Sequence, residues 1–102
     1  MKLTPLNLDG AFLLEPVVHG DHRGFFIERY REDCLNDIGF GNTFVQDNHS
    51  LSVEAGILRG LHYQLPPKAQ TKLVWVLSGV IYDVILDIRR NSPHLVSGQA
   101  LF

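Results

Sequence analysis

The 102-residue chain reads as an all-β domain, a sandwich or barrel with one short helix. Three observations carry that expectation. Runs rich in β-branched and aromatic residues recur at short intervals, turn signals built on Gly and Pro separate them, and only one stretch has helical character. Residues 1–102 are expected to form a single domain with a modest core.

The helix candidate is ERYREDCLNDIG, 28–39, with Gly39 as its stop signal. After it, TFVQDNHSLSV (43–53) alternates Gln46, Asn48, Ser50 and Ser52 against Val45, Asp47, His49, Leu51 and Val53, a strand pattern. Residues 54–56 (EAG) read as a turn, and ILRGLHYQL follows as the next strand. Pro66-Pro67 ends it, because neither residue can donate to a ladder. KLVWVL (72–77) and VIYDVILDI (80–88), separated by Ser78-Gly79, predict a β-hairpin. Val80, Tyr82, Val84, Leu86 and Ile88 line one face of its second strand and Ile81 and Ile85 the other. Apolar residues on both faces place such a strand inside a sandwich, a barrel or a subunit interface. SGQALF resembles the start of one more strand. The total is about six or seven strands, where a jelly roll usually has about eight.

Composition excludes several classes. Apolar residues make up 45% and charged residues 20%, ordinary values for a globular domain. A formal charge of −2 gives no electrostatic reason to expect nucleic acid or an anionic membrane as partner. No basic segment followed by an apolar one marks a secretory signal. The longest apolar stretch, Leu73 to Ile88, is broken by Ser78, Gly79, Asp83 and Asp87, so no membrane span is expected. Cys34 is the single cysteine, which fits the reducing cytoplasm.

RGLHYQLPP, 59–67, poses the chemical question: His62 is a base, a metal ligand or a core histidine. A metal-chelating pair on one strand needs a second histidine at i+2, and that position is Gln64. His19-x-x-His22 sits in a loop pattern and reads as solvated, so no metal is expected. Nothing forms a Gly-x-Ser-x-Gly elbow or a glycine-rich phosphate loop, and Cys34 lacks a basic neighbour that would activate it. Proton transfer remains. A histidine is a competent general base near neutral pH. Lys72, on the face of Val74 and Val76, is either a solvated strand end or a charge able to stabilise an enolate. Arg23 and Arg59 are candidate anion clamps, since guanidinium groups grip phosphate in a fixed fork. Gln46 and Asn48, two apart, can reach one pocket.

Together GDHRGFFIERY (20–30), FVQDNHSLS (44–52), GILRGLHYQLPP (56–67) and QTKLVWVLSGVIYDVILDIRRNSP (70–93) resemble the dTDP-4-dehydrorhamnose 3,5-epimerases, in order and over about nine-tenths of the chain. The resemblance implies a cupin-type jelly roll, here incomplete, that works as a homodimer without metal or cofactor. It implies as substrate dTDP-4-dehydro-6-deoxy-glucose, whose C3 and C5 protons lie α to the C4 ketone, in dTDP-rhamnose-type deoxysugar biosynthesis. His62 would remove those protons and Lys72 would stabilise the enolate at O4. Arg23 and Arg59 would hold the diphosphate, Gln46 and Asn48 would line the nucleotide strand, and Glu28 would reach the neighbouring subunit's site through exchanged N-terminal strands. Phe25 and Phe26 are either a wall around the thymidine or core residues.

Strict alternation would aim Arg59 and His62 to opposite sides, so a bulge or sharp twist is expected at Gly60. Family members normally continue for most of a further such length, which supplies a proton-donating tyrosine, a second histidine and an aspartate orienting the catalytic histidine. Tyr30, Tyr63 and Tyr82 do not occupy the tyrosine's place in the order of the family. Three functions thus compete: an epimerase completed by further polypeptide, a non-catalytic remnant that binds sugar nucleotide or only dimerises, and an unrelated cupin-like binding module.

Overall fold

The computed structural model describes residues 1–101. It is mostly strand and irregular backbone with one short helix, in keeping with the all-β expectation. Six strands form three antiparallel pairs: β1 (Lys2–Pro5) with β2 (Phe12–Glu15), β3 (Val18–Asp21) with β4 (Gly24–Ile27), and β5 (Asp83–Leu86) with β6 (Gly98–Leu101). The helix α1 spans Glu32–Asp37.

The first two pairs are local hairpins that the sequence reading did not locate. In β1–β2, Lys2 stands opposite Glu15 and Pro5 opposite Phe12, and the connecting loop closes through Leu6 N–H to the Ala11 carbonyl at 2.9 Å. Leu8 is buried within that loop. The β3–β4 hairpin turns through His22 and Arg23. There Asp21 Oδ1 accepts the Arg23 backbone N–H at 2.8 Å, a side-chain turn of the kind Asp favours.

α1 is shorter than the segment that predicts it and ends as expected at Gly39. Gly39 takes φ +91°, its N–H reaches the Asn36 carbonyl at 3.0 Å, and Phe40 N–H reaches that of Leu35 at 2.8 Å. These two bonds are the Schellman closure, which needs a left-handed residue at that position. Glu32 and Asp33 lie in the first turn, where acidic groups suit the helix dipole. Leu35, 2% exposed, is the helix's anchor. Phe12 meets Phe40 edge-on (centroids 6.3 Å apart), Phe40 stacks on Phe44, and Tyr30 meets Phe44 edge-on at 5.5 Å.

The hairpin expected from 72–77 and 80–88 does not form. Gly79 does turn with φ +89°, but the strand β5 pairs with β6 in place of residues 72–77, with Val84 opposite Ala100. The reason is Asp87, which is buried. Its carboxylate accepts the Arg89 backbone N–H and Nε–H, each at 3.0 Å, Arg89 Nη2–H at 2.9 Å, and the Ser92 hydroxyl. This shapes the 87–97 loop so that Asp87 N–H meets the Ser97 carbonyl at 3.0 Å and Val96 N–H returns to the Asp87 carbonyl at 2.6 Å. Arg89 Nη2 also donates to the Asp9 carbonyl at 2.5 Å, and Asn7 N–H to Gln99 Oε1 at 2.8 Å. The β1–β2 loop is thereby tied to β5–β6.

Residues 42–82, where two further strands were expected, carry no ladder. Extended backbone becomes a strand only beside a partner about 4.8 Å away, and here apolar side chains such as Val45 (90% exposed) and Leu58 (92%) face open solvent.

Candidate active site

His62 and Lys72 come together. Both line an open cavity of about 280 Å³, with Tyr63, Gln64, Ala69 and Gln70 completing the wall. The chain doubles back between them through the turn at Pro66 and Pro67, closed by Lys68 N–H to the Leu65 carbonyl at 2.8 Å. Tyr63, Gln64 and Gln70 were not assigned by sequence. A signal for the two glutamines was present, since 62 and 64, like 70 and 72, share a side of an extended chain.

The break in alternation falls at Gly60, whose φ of +102° lies where residues with a Cβ are strained. The His62 ring folds back over it, with Nδ1 3.7 Å from where a Gly60 side chain would begin. Arg59 lies outside the His62–Lys72 cavity wall. Its Nη2 donates to the Ser52 hydroxyl at 3.2 Å and the Leu51 carbonyl at 3.4 Å, bridging to the segment that carries Gln46 and Asn48. Those two share a side: Gln46 Nε2 donates to Asn48 Oδ1 at 3.2 Å.

Arg23 belongs to a second cavity, also about 280 Å³, formed with His19, Asp21, Gly24, Phe25 and Phe26. Both phenylalanines are largely exposed there (Phe25 70%, Phe26 68%), so neither packs into a core within this chain. Arg23 forks onto Asp21, Nη2 to Oδ2 at 2.6 Å and Nε to Oδ2 at 3.1 Å. The pair holds the Asp21 carboxyl below its usual range, through the Arg23 side-chain bonds first and its backbone N–H second. An anion arriving at Arg23 would compete with Asp21 for the same fork. Glu28 Oε1 receives Arg31 Nη1 at 3.3 Å and the Cys34 thiol at 3.9 Å.

Among the described residues, no three His, Cys, Asp or Glu side chains converge closely enough to hold a metal ion. Among the same residues, no helix is long and apolar enough to cross a membrane.

The family model described as dTDP-4-dehydrorhamnose 3,5-epimerase matches residues 5–101. The chain belongs to the dTDP-4-dehydrorhamnose 3,5-epimerase family. It is 46% identical over 94 residues to the epimerase of Shigella flexneri, an alignment covering 91% of this chain and 51% of that relative. The Methanothermobacter thermautotrophicus epimerase is 50% identical over 91 residues, 89% of this chain and 48% of the relative. In structure the chain is similar to the crystal structure of the Bacillus anthracis epimerase with TDP and PPi bound. The TM-score is 0.94 at 50% identity, covering 98% of this chain and 57% of that one. The chain thus spans about half the length of the curated epimerases it matches, and over that half its conformation is similar to the Bacillus anthracis structure.

Proposed function

We propose that this chain carries the proton-abstracting part of a dTDP-4-dehydrorhamnose 3,5-epimerase. The observation that carries the reading is the shared cavity of His62 and Lys72, a neutralisable base beside a fixed cation. On dTDP-4-dehydro-6-deoxy-glucose, His62 takes the proton from C3, from C5 or from each in turn. The C–H electron pair moves toward the C4 carbonyl, and the Lys72 ammonium stabilises the enolate oxygen that forms. Arg23 and Arg59 hold the diphosphate, and Gln46 and Asn48 line the nucleotide's path. Phe25 and Phe26 offer exposed rings for the thymine to stack on. The TDP and PPi bound in the similar Bacillus anthracis structure support a nucleoside-diphosphate ligand here. The reaction needs no cofactor, and its place is dTDP-rhamnose-type biosynthesis in the cytoplasm.

Surface and length bear on how the site works. Large apolar side chains remain uncovered, and the relatives are about twice as long. The working site is completed by further polypeptide in a homodimer with exchanged N-terminal strands, where Glu28 reaches the neighbouring subunit. A second reading is binding of the nucleotide without turnover, which the TDP and PPi bound in the similar structure also support.

Solvent exchange separates the two. In deuterated water, NMR of dTDP-4-dehydro-6-deoxy-glucose should show deuterium entering C3 or C5 above the enzyme-free rate, and His62→Ala should abolish it. Exchange that persists in His62→Ala overturns the assignment of the base. Nucleotide binding without exchange leaves this stretch of chain as a binding unit that does not abstract the proton on its own.

A further inference from the structure

Lys72 sits between two contacts made by one connector, the stretch from Glu28 through α1 to Phe44. Just before it, Asn42 Nδ2 donates to the Thr71 hydroxyl at 2.6 Å. Three residues after it, the Arg29 guanidinium lies over the Trp75 ring, 4.3 Å from the centroid. The connector is closed on itself. The Thr43 hydroxyl donates to Glu32 Oε1 at 2.8 Å, Tyr30 meets Phe44 edge-on, and Leu35 is buried beneath.

Among the described residues no β-ladder holds 71–76, so side-chain ties must orient it. Thr71 and Trp75 have the same parity, and in extended chain that puts them on one side with Lys72 on the other. The cavity agrees: Lys72 lines it, whereas Thr71 and Trp75 do not. Two anchors four residues apart, roughly 13 Å along extended chain, set both the position and the roll of the segment. The direction of the Lys72 amine follows.

We propose that Arg29 and Asn42 are positioning residues that aim Lys72 into the cavity it shares with His62. The proposal rests on the reading of Lys72 as the enolate-stabilising group. Arg29 acts through a cation–π contact that a lysine can also make, and Asn42 through a neutral hydrogen bond, so the two ties can be cut independently.

The test uses the chain with limiting acetic anhydride and mass spectrometry, comparing acylation of Lys72 with that of Lys68, which lies outside the brace. Arg29→Met and Asn42→Ala should each change the Lys72-to-Lys68 ratio by about two- to fivefold, the range for losing one exposed cation–π contact or hydrogen bond. Arg29→Lys should keep the wild-type ratio. Trp75 is the single tryptophan, and its emission should shift in Arg29→Met but not in Arg29→Lys. In the exchange assay both cutting variants should lose turnover by a similar factor of about two to five, with affinity for thymidine diphosphate unchanged. A ratio in Arg29→Met and Asn42→Ala equal to wild type overturns the proposal, as does failure of Arg29→Lys to preserve it. If the wild-type chain exchanges no deuterium, its reading as a self-sufficient proton-abstracting unit fails, while the labelling ratio still decides the brace.

Discussion

Leu58 offers a sharp test of what covers this fold. The chain exposes 8981 Å², whereas a compact monomer of its mass exposes about 5,800 Å². Its radius of gyration is 15.6 Å, against about 13 Å for a compact domain of this length. The excess, about 3,200 Å², is some four times the roughly 800 Å² that each partner contributes to a standard interface. Leu58, 92% exposed, touches almost nothing in its own chain. Leu58→Ala should therefore leave the chain's own unfolding free energy within about 0.5 kcal/mol of wild type. If another copy or further polypeptide covers the side chain, the same change removes about 1.5–3 kcal/mol of burial, or about 10- to 150-fold in dissociation constant. Sedimentation equilibrium at micromolar concentration reads association, and urea unfolding under dilute conditions reads the chain alone. A wild-type chain that stays monomeric across that range would refute cover by another copy. So would an association constant that Leu58→Ala changes by less than about threefold.

Two substitutions test the local geometry. Gly60→Ala should destabilise by on the order of 1–2 kcal/mol because a Cβ is strained at φ +102°, read as a lowered urea midpoint. Its new methyl would meet the His62 backbone N at 3.5 Å, ordinary contact, so the cost comes from the backbone and the His62 site should remain. Asp87→Asn tests the 87–97 loop. The Arg89 side-chain bonds, then Ser92, hold the Asp87 carboxyl well below the ordinary carboxylate range. A folded value below the unfolded value, about 3.9, makes the stabilisation complete above that pH and progressively lost as pH falls toward the folded value. Asp87→Asn should lower the melting temperature at pH 7, and the two melting curves should draw together progressively as pH falls from about 3.9 toward the folded value. Parallel curves across that acid range would remove Asp87 from the account.

What was legible in the sequence was local. Gly39 as helix stop and Gly60 as the break in alternation each follow from one residue's backbone freedom, and SGQALF, the basis of β6, from a short strand pattern. His62 and Lys72 are separated by only ten positions across a proline turn, so their shared cavity is also a near-local feature. The 72–77/80–88 hairpin failed because pattern and turn were both right while the partner was wrong. The Asp87 carboxylate, four positions beyond the start of β5, shapes a loop that brings β6 alongside. Alternation within a segment carries no information about which neighbour wins its hydrogen bonds. The hairpins of residues 1–27 were missed for the opposite reason, since a four-residue strand gives few alternations to register, and β6 itself was legible only as the start of a strand. Arg59 shows the limit for sites: breaking the alternation at Gly60 permits a turn toward His62 but does not compel it, and the guanidinium goes to Leu51 and Ser52.

Exposure of the site and exposure of the apolar surface have one physical consequence. Proton abstraction next to a ketone gains most from a cation when water is kept from the developing oxyanion, because screening in water shrinks the interaction severalfold. In this chain the His62–Lys72 cavity is open, and residues 42–82 around it are uncovered. Whatever covers Leu58 and its neighbours would therefore also dry the site, so covering and catalysis should rise together. Exchange per chain should increase with protein concentration along the association curve, and Leu58→Ala should displace both curves by the same factor without touching His62 or Lys72. Exchange that is constant per chain while association changes would separate the two and leave the open cavity as the catalytic unit.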